Sequence, residues 1–233
     1  MKRAFLLLIC VLLLPAAGWL EAGTVVSDAA GRKVEIPDRV TRLVTTFKPA
    51  TLIVLSLRAE DALVGVDSSS RYDPLSLAVA PELAHLPGVG SKSQDINLET
   101  IISLEPDLVI LYSQKTGIRL ADGLQESGCP AVVIAPEKFE SIEKTLRMLA
   151  LALEHGVQAD KVIEAMHRVQ NLVTDRVHDL QAAERKTVYY AGPSGFLSTA
   201  PSDMLQDVII RRAGGINAAS SLHGYFKQVS PEQ

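Results

Sequence analysis

The residues in this chain that could carry out chemistry are its five histidines, its two cysteines and a few serines and lysines near glycines. No HExxH pattern and no CxxC pair is present. His167 and His178 lie eleven residues apart on one predicted helix, on the face opposite its valines, which is typical of solvated side chains. Cys129 precedes an apolar strand and has no histidine near it in sequence, so we interpret it as a buried structural residue and not as a nucleophile.

Two glycine-containing segments resemble catalytic loops but lack their spacing. In residues 88–93 the lysine is not placed as a phosphate-binding loop requires. Ser194 lacks the pair of glycines, two residues to each side, that a nucleophile elbow needs. The formal net charge is −4 and no basic run occurs outside the extreme N-terminus, which excludes a nucleic-acid surface. These observations favour a binding protein over an enzyme.

The first 22 residues are predicted to be a secretory signal peptide. Two basic residues precede the apolar run 4–14, which is followed by proline and small residues. Cys10 follows Ile9 inside this run, whereas a lipid-attachment cysteine follows a small residue, so a lipid anchor at Cys10 is not expected. Cleavage would leave Cys129 as the single cysteine and exclude an internal disulfide. We therefore expect a periplasmic or otherwise extracytoplasmic protein.

Residues 23–157 are predicted to form an N-terminal α/β lobe. A hairpin at 24–36 is followed by strands that alternate with helices, and the apolar runs at 108–112 and 131–135 are typical of strands buried on both faces. This order predicts a mostly parallel, doubly wound sheet, in which ligands bind at the carboxyl ends of the strands. The loops at those ends are residues 46–51, 67–72, 91–95, 113–117 and 136–138.

A long helix is predicted at residues 158–186, as a connector between two lobes. The stretch contains no glycine or proline, and its apolar residues recur at steps of three and four. These residues are Val162, Met166, Val169, Val173, Val177 and Leu180. Such a helix would be about 40 Å long. We expect the valine stripe to pack on both lobes and to limit their motion.

Residues 187–233 are predicted to begin a second α/β lobe, with a strand at 187–191 and a helix at 203–212 that Ser202 caps. One strand and one helix cannot bury a core by themselves. We therefore expect the C-terminal lobe to be incomplete. The predicted fold class is α/β, with two doubly wound lobes joined by a single long helix and the second lobe truncated.

Several short motifs, taken in order, resemble one known family. They are Val26-Ser27-Asp28-x-x-Gly31-Arg32, Arg42-Leu43-Val44, Leu63-Val64-Gly65-Val66, Leu86-Pro87-x-Val89-Gly90, Asn97-Leu98-Glu99, Glu105-Pro106-Asp107-Leu108 and Ala213-Gly214-Gly215-x-Asn217. Together they resemble the periplasmic substrate-binding proteins of ABC importers for ferric siderophores, haem and cobalamin. The resemblance implies two lobes joined by a long helix, a ligand in the cleft between them, and acidic residues that dock on the membrane permease. Arg211 stands where the second lobe is expected to carry such an acid.

The predicted function is therefore capture of a metal chelate, such as a ferric siderophore or haem, or of cobalamin, and its delivery to an ABC permease. Loop position predicts that the ligand is contacted by Lys48, Arg71, Tyr72, Tyr112, Lys115, His223, Tyr225 and Phe226. Neither a cofactor nor a resident metal is expected, and the protein is predicted to be a monomer. Two alternatives stay open: a protein of the same fold that binds an oxyanion or a free metal ion, and a chelatase-like or metallocluster enzyme.

Overall fold

The computed structural model describes residues 23–90 and 96–230. The predicted signal peptide, including Cys10, lies outside the described residues, and so does the predicted ligand loop at 91–95. No helix in the described part of the chain combines the length and apolar character that a bilayer crossing requires.

The described residues contain ten strands and seven α-helices. The strands are β1 Thr24–Ser27, β2 Lys33–Ile36, β3 Leu43–Thr45, β4 Leu63–Gly65, β5 Leu108–Tyr112, β6 Ala131–Ile134, β7 Thr187–Val188, β8 Ser198–Thr199, β9 Ile216–Asn217 and β10 Lys227–Gln228. The helices are α1 Lys48–Ser56, α2 Pro74–Val79, α3 Leu98–Ser103, α4 Lys115–Glu126, α5 Phe139–Ala152, α6 Gly156–Val177 and α7 Leu205–Arg212. Short 3-10 turns occur at Glu60–Ala62, Ser70–Tyr72, Pro81–Ala84 and Ala182–Glu184.

A four-stranded parallel sheet forms the centre of the first lobe, in the order β4-β3-β5-β6. Successive residues of β5 point to opposite faces. Leu108 and Ile110 belong to the core that includes residues of α1, α5 and α6, while Val109 and Leu111 belong to the core that includes residues of α3 and α4. Helices on both faces confirm the predicted doubly wound α/β architecture.

The N-terminal hairpin covers the edge strand β6. The N–H of Ala29 donates to the Val133 carbonyl (2.9 Å), and the fully buried Asp28 carboxylate accepts from the Val133 N–H (3.3 Å). Arg32 pairs with Asp28 at 2.9 Å and also donates to the Ala131 carbonyl. The turn thus satisfies backbone groups that an uncovered sheet edge would expose.

The connecting helix, α6, is shorter than predicted. It begins at Gly156, two residues before the predicted start, and it ends at Val177 instead of continuing to residue 186. Gln181 adopts an extended backbone, and its N–H donates to the Glu184 carboxylate (2.7 Å), which starts a separate 3-10 turn. A local polar capping contact therefore ends the helix where the sequence has no glycine or proline.

The apolar stripe of α6 packs at its two ends and not along its whole length. Val162 and Met166 are partly buried against the core of the first lobe, and Val177 lies against Gly214, which follows α7. Between them Val169 is 61% exposed, so the middle of the stripe is not packed against either lobe. The helix nevertheless contacts elements on both sides, as a connector should.

Beyond α6, β7 and β9 pair in parallel and β8 and β10 pair antiparallel. α7 begins at Leu205 after Met204, and Ser202 does not cap it, because the Ser202 hydroxyl donates to the Leu222 carbonyl. Asn217, the last residue of the motif Ala213-Gly214-Gly215-x-Asn217, has a structural role. Its side-chain amide donates to the buried Asp207 carboxylate at 3.0 Å. Asp207 also pairs with Arg211 at 2.7 Å.

Candidate functional site

Three neighbouring strands of the parallel sheet lead into helices that begin with a lysine. Lys48 is the first residue of α1, after β3; Lys115 is the first residue of α4, after β5; and Lys138 is the N-cap of α5, after β6. A helix N-terminus carries partial positive charge, so a cation there is disfavoured by about 0.3–1 kcal/mol. α1 and α4 also have no capping side chain and no acidic residue in the first turn. The N-termini of three helices, with their partial positive charge, therefore lie at the carboxyl edge of the sheet.

A buried carboxylate holds the loop that follows β4. Asp67 is 1% exposed. Its carboxylate accepts hydrogen bonds from the hydroxyl groups of Thr51, Ser69 and Ser70. It also accepts from the backbone N–H groups of Ser69 and Ser70, each at 3.1 Å. This network fixes the loop immediately before two residues that the sequence predicted to contact ligand.

Those two residues, Arg71 and Tyr72, lie side by side on the outer part of the loop. Tyr72 is 73% exposed, and the guanidinium carbon of Arg71 lies 5.6 Å from the centre of its ring. One end of the guanidinium donates to the Ala84 carbonyl at 3.1 Å. The buried Arg71 Nε has no hydrogen-bond partner among the described residues. The loop thus presents an exposed aromatic face with an arginine packed beside it.

Lys48 lies next to the same loop, because its Nζ is 3.1 Å from Asp73 Oδ1. Asp73 also caps α2 by accepting from the Ser76 N–H at 2.9 Å. The Ser76 N–H, then the Ser76 hydroxyl and then the Lys48 ammonium hold the pKa of Asp73 below its ordinary value. The carboxylate therefore stays ionised at neutral pH and positions the lysine.

An aromatic cluster occupies the end of β5. The ring centres of Tyr112 and Phe47 are 5.1 Å apart, and the Tyr112 hydroxyl donates to the Glu137 carboxylate, which follows β6. Burial first, and then this carboxylate, raise the pKa of Tyr112 well above its ordinary value. Tyr112 is therefore a neutral hydrogen-bond donor at any physiological pH.

The second lobe reaches this cluster through Tyr225. Its hydroxyl donates to the Ser113 carbonyl at 2.7 Å, and its ring meets Tyr112 edge-on with the centres 6.0 Å apart. This contact joins residues that are 112 positions apart in the chain. It places the second lobe directly over the end of a central strand.

A second polar contact lies beside Tyr225. Asp203 accepts from the Gly224 N–H at 2.7 Å and lies 3.4 Å from His223 Nδ1. The Gly224 N–H, then the His223 side chain, and then Lys138 from the first lobe lower the pKa of Asp203. Because Lys138 takes part, charges from both lobes meet here.

The structure brings together most, but not all, of the residues that the sequence predicted as ligand contacts. Tyr112 and Tyr225 touch, Lys48 is next to the loop of Arg71 and Tyr72, and Lys115 opens the helix after β5. His223 lies on the second-lobe side with Asp203. Phe226 is separate, since its ring stacks on Tyr190 with the centres 6.2 Å apart. Ligand binding by all eight stays a prediction.

The residue-by-residue prediction missed Phe47, Glu137, Lys138 and Asp203. Lys138 could have been found, because it follows an apolar strand in the same way as Lys48 and Lys115 do. The position of Asp203 could not, since nothing in the sequence indicates that it faces the first lobe.

Comparison with known proteins decides the family. Residues 43–233 match the family model described as "Periplasmic binding protein". The chain belongs to the periplasmic binding protein family. The molybdate-binding protein MolA of Haemophilus influenzae is 27% identical over 254 residues, which cover 100% of this chain and 71% of MolA. A vitamin B12-binding protein of Yersinia pestis is 28% identical over 199 residues, which cover 85% of this chain and 67% of that protein.

Solved structures of the family show the same fold. The structure of MolA bound to molybdate matches with a TM-score of 0.76 and 25% identity, over 90% of this chain and 70% of MolA. The two-lobe fold class predicted from the sequence is confirmed by this match. The relatives named above are binding proteins and not enzymes, in agreement with the absence of a catalytic motif from the sequence.

Proposed function

We propose that this protein is the solute-binding component of an ABC importer, and that it captures a small oxyanion of the molybdate type between its lobes for delivery to a membrane permease. The observation that supports this proposal most strongly is the lysine at the start of the helices after β3, β5 and β6. Helix N-termini supply free backbone N–H groups as well as positive charge, and both are suited to an anion.

The lysines are unfavourably placed with respect to the helix dipole, although Asp73 pairs with Lys48. A folded protein gains stability from acids in the first turn of a helix and loses it from cations there. α1 and α4 have none of the acids, and their first residues are lysines. A ligand that carries two negative charges would remove this electrostatic cost. The arrangement is therefore expected of a site that is stabilised when the anion binds.

The closeness of the lobes favours a small ligand. Tyr225 of the second lobe is in hydrogen-bond contact with Ser113 of the first. A tetrahedral oxyanion would fit beside this contact or replace it, whereas haem or cobalamin would displace the whole loop that carries Tyr225. The similarity to MolA, which was solved with molybdate bound, agrees with this size.

A second candidate function is the binding of a metal chelate or cobalamin, as the sequence predicted. The aromatic cluster of Phe47, Tyr112 and Tyr225 supports it, because flat ring faces suit a macrocycle. The similarity to vitamin B12-binding proteins points the same way.

A thermal-shift panel on residues 23–233 separates the two candidates. Molybdate and tungstate are tested beside sulfate and phosphate at equal ionic strength, and beside haemin, ferrichrome and cyanocobalamin. A ligand at 100 times its Kd stabilises the native state by about 2.7 kcal/mol, which corresponds to about 5–11 °C for a chain of this size. We expect that shift with molybdate and tungstate. A shift with haemin, ferrichrome or cyanocobalamin, and none with any oxyanion, would reject the oxyanion and establish the second candidate.

Charge variants test the supporting observation itself. Lys138→Gln should weaken molybdate binding about three- to tenfold, or about 0.7–1.4 kcal/mol, because one cation of a solvated cleft is lost. Lys161→Gln, an exposed lysine on α6, is the matched control and should leave the Kd unchanged. Because the effect is electrostatic, it should shrink as ionic strength rises. Equal affinities of the two variants would show that the cleft lysine does not face the anion.

A further inference from the structure

We propose that Tyr225 is the gate of the cleft: its hydrogen bond to the Ser113 carbonyl latches the second lobe onto the first, and this bond must break before a ligand enters. The inference deepens the proposed function, on which it rests for the identity of the ligand. The latch itself is a property of the protein without ligand.

The loop that carries Tyr225 is anchored firmly in its own lobe. The Ser202 hydroxyl donates to the Leu222 carbonyl at 2.9 Å, and the Gly224 N–H donates to the Asp203 carboxylate at 2.7 Å. Gly224 has a φ of +92°, a backbone conformation that favours glycine and turns the chain sharply. The loop is therefore preorganised, and Tyr225 crosses the cleft from a fixed base.

The far end of Tyr225 lands at the place where a ligand is expected. Ser113 directly follows β5, and Gln114 is the N-cap of α4. The tyrosine ring also rests edge-on against Tyr112, 6.0 Å between centres. In this position Tyr225 lies over the carboxyl end of β5, directly before the N-terminus of α4.

The contact of Tyr225 with Ser113 can break while the lobes stay joined, because Arg212 holds them together elsewhere. Arg212, the last residue of α7, donates to Gln170 of α6, pairs with Glu140 at 3.2 Å and lies 4.9 Å from the ring centre of Phe139. Several contacts, one of them charged and one cation–π, make this the durable link between α7 and the first lobe.

Tyr225, by contrast, makes one neutral hydrogen bond across the cleft within the described part of the chain and is 42% exposed, so water competes for its hydroxyl group. One such bond changes a closed–open equilibrium by about two- to tenfold. That is enough to bias the loop toward closure and too little to prevent opening. The geometry thus combines a fixed pivot at Arg212 with a reversible latch at Tyr225.

The test removes only the hydroxyl group. Tyr225→Phe keeps the ring and its contact with Tyr112, and Tyr189→Phe is the matched control, because the Tyr189 hydroxyl also donates to a backbone carbonyl, that of Phe196, but within one lobe. Relaxation dispersion of the Tyr112 ring, against which the ring at position 225 rests, measures conformational exchange between the closed and the open cleft without any ligand. Stopped-flow tyrosine fluorescence measures association of sodium molybdate, and residues 23–233 contain no tryptophan to obscure it.

We expect Tyr225→Phe to speed this conformational exchange about two- to tenfold and to raise the association rate of molybdate by the same factor, since both depend on the open state. Tyr189→Phe should match the wild type in both. Unchanged exchange in Tyr225→Phe would overturn the latch, whatever the ligand. Faster exchange with an unchanged association rate would overturn the gate. If the wild type binds no oxyanion, the proposed function fails, and the gate is judged by the same comparison with the panel ligand that does bind.

Discussion

Replacing Asp67 by alanine is expected to destabilise the protein by about 3–5 kcal/mol and to loosen the loop that carries Arg71 and Tyr72. The carboxylate is 1% exposed and accepts five hydrogen bonds, three from hydroxyl groups and two from backbone N–H groups. Alanine removes every acceptor at once, while the donors stay in place.

The magnitude follows from the donors that lose their partner. Ser70 is fully buried, so its hydroxyl and its N–H cannot turn to water, and each unsatisfied buried donor costs about 1–3 kcal/mol. Thr51 is affected less, because its hydroxyl keeps a contact of 2.7 Å with Thr45. The individual costs do not add fully within one network, which sets the upper bound at about 5 kcal/mol.

Urea unfolding followed by circular dichroism measures this cost, and the melting temperature should fall by about 6–20 °C. Asp61→Ala is the matched control, since this aspartate lies six residues upstream and is exposed. Asp67→Asn, which retains one oxygen acceptor, should fall between the two. A loss below about 1 kcal/mol for Asp67→Ala, equal to that of the control, would refute the idea that this carboxylate holds the loop.

Three further predictions concern stability. Asp28→Ala should cost about 3–5 kcal/mol in urea unfolding, because it takes the fully buried partner from a mostly buried arginine and leaves it only the exposed Asp122. Asp122→Ala, which removes that exposed partner, should cost less than about 1 kcal/mol, and equal costs would contradict this. The pKa of Tyr112 is raised, so the contribution of this tyrosine to stability is present below pH 10 and is lost as the pH rises above it. Absorbance titration at 295 nm should show a late-titrating tyrosine that is absent from Tyr112→Phe. Identical titration curves would count against the burial of Tyr112. The pKa of Asp73 is lowered from 3.8, so the contribution of its carboxylate to stability is present above that pH and is lost as the pH falls below it. The difference in unfolding free energy between wild type and Asp73→Asn should therefore be larger at pH 7 than at pH 3. A constant difference would argue against the capping role of Asp73.

The fold of the first lobe could be predicted from the sequence because its strands are short apolar runs between helices. The residues of β5 are apolar at successive positions, which only a strand covered on both faces requires, and the structure buries both sets. The ends of α6 could not be predicted from the sequence. Gly156 is compatible with either end of a helix, and the stop at Val177 depends on the contact between Gln181 and Glu184.

The candidate site could be predicted only in part, for a related reason. Lys48, Lys115 and Lys138 each follow a strand in the sequence, but that β3, β5 and β6 are neighbours is decided by the crossovers and not by any local pattern. The contact of Tyr225 with Ser113 spans the connecting helix, and no periodicity reports on it. Loop position therefore identified candidates, while their grouping required the three-dimensional arrangement.

The central claim is that an oxyanion binds between the lobes at the carboxyl edge of the parallel sheet. The most direct measurement is a crystal structure grown with sodium molybdate, with anomalous scattering recorded at the molybdenum absorption edge. We predict one strong peak among the N-termini of α1 and α4, Lys138 and the loop of Tyr225. A molybdenum peak elsewhere, or an empty cleft in crystals where haemin or cyanocobalamin instead occupies that position, would contradict it.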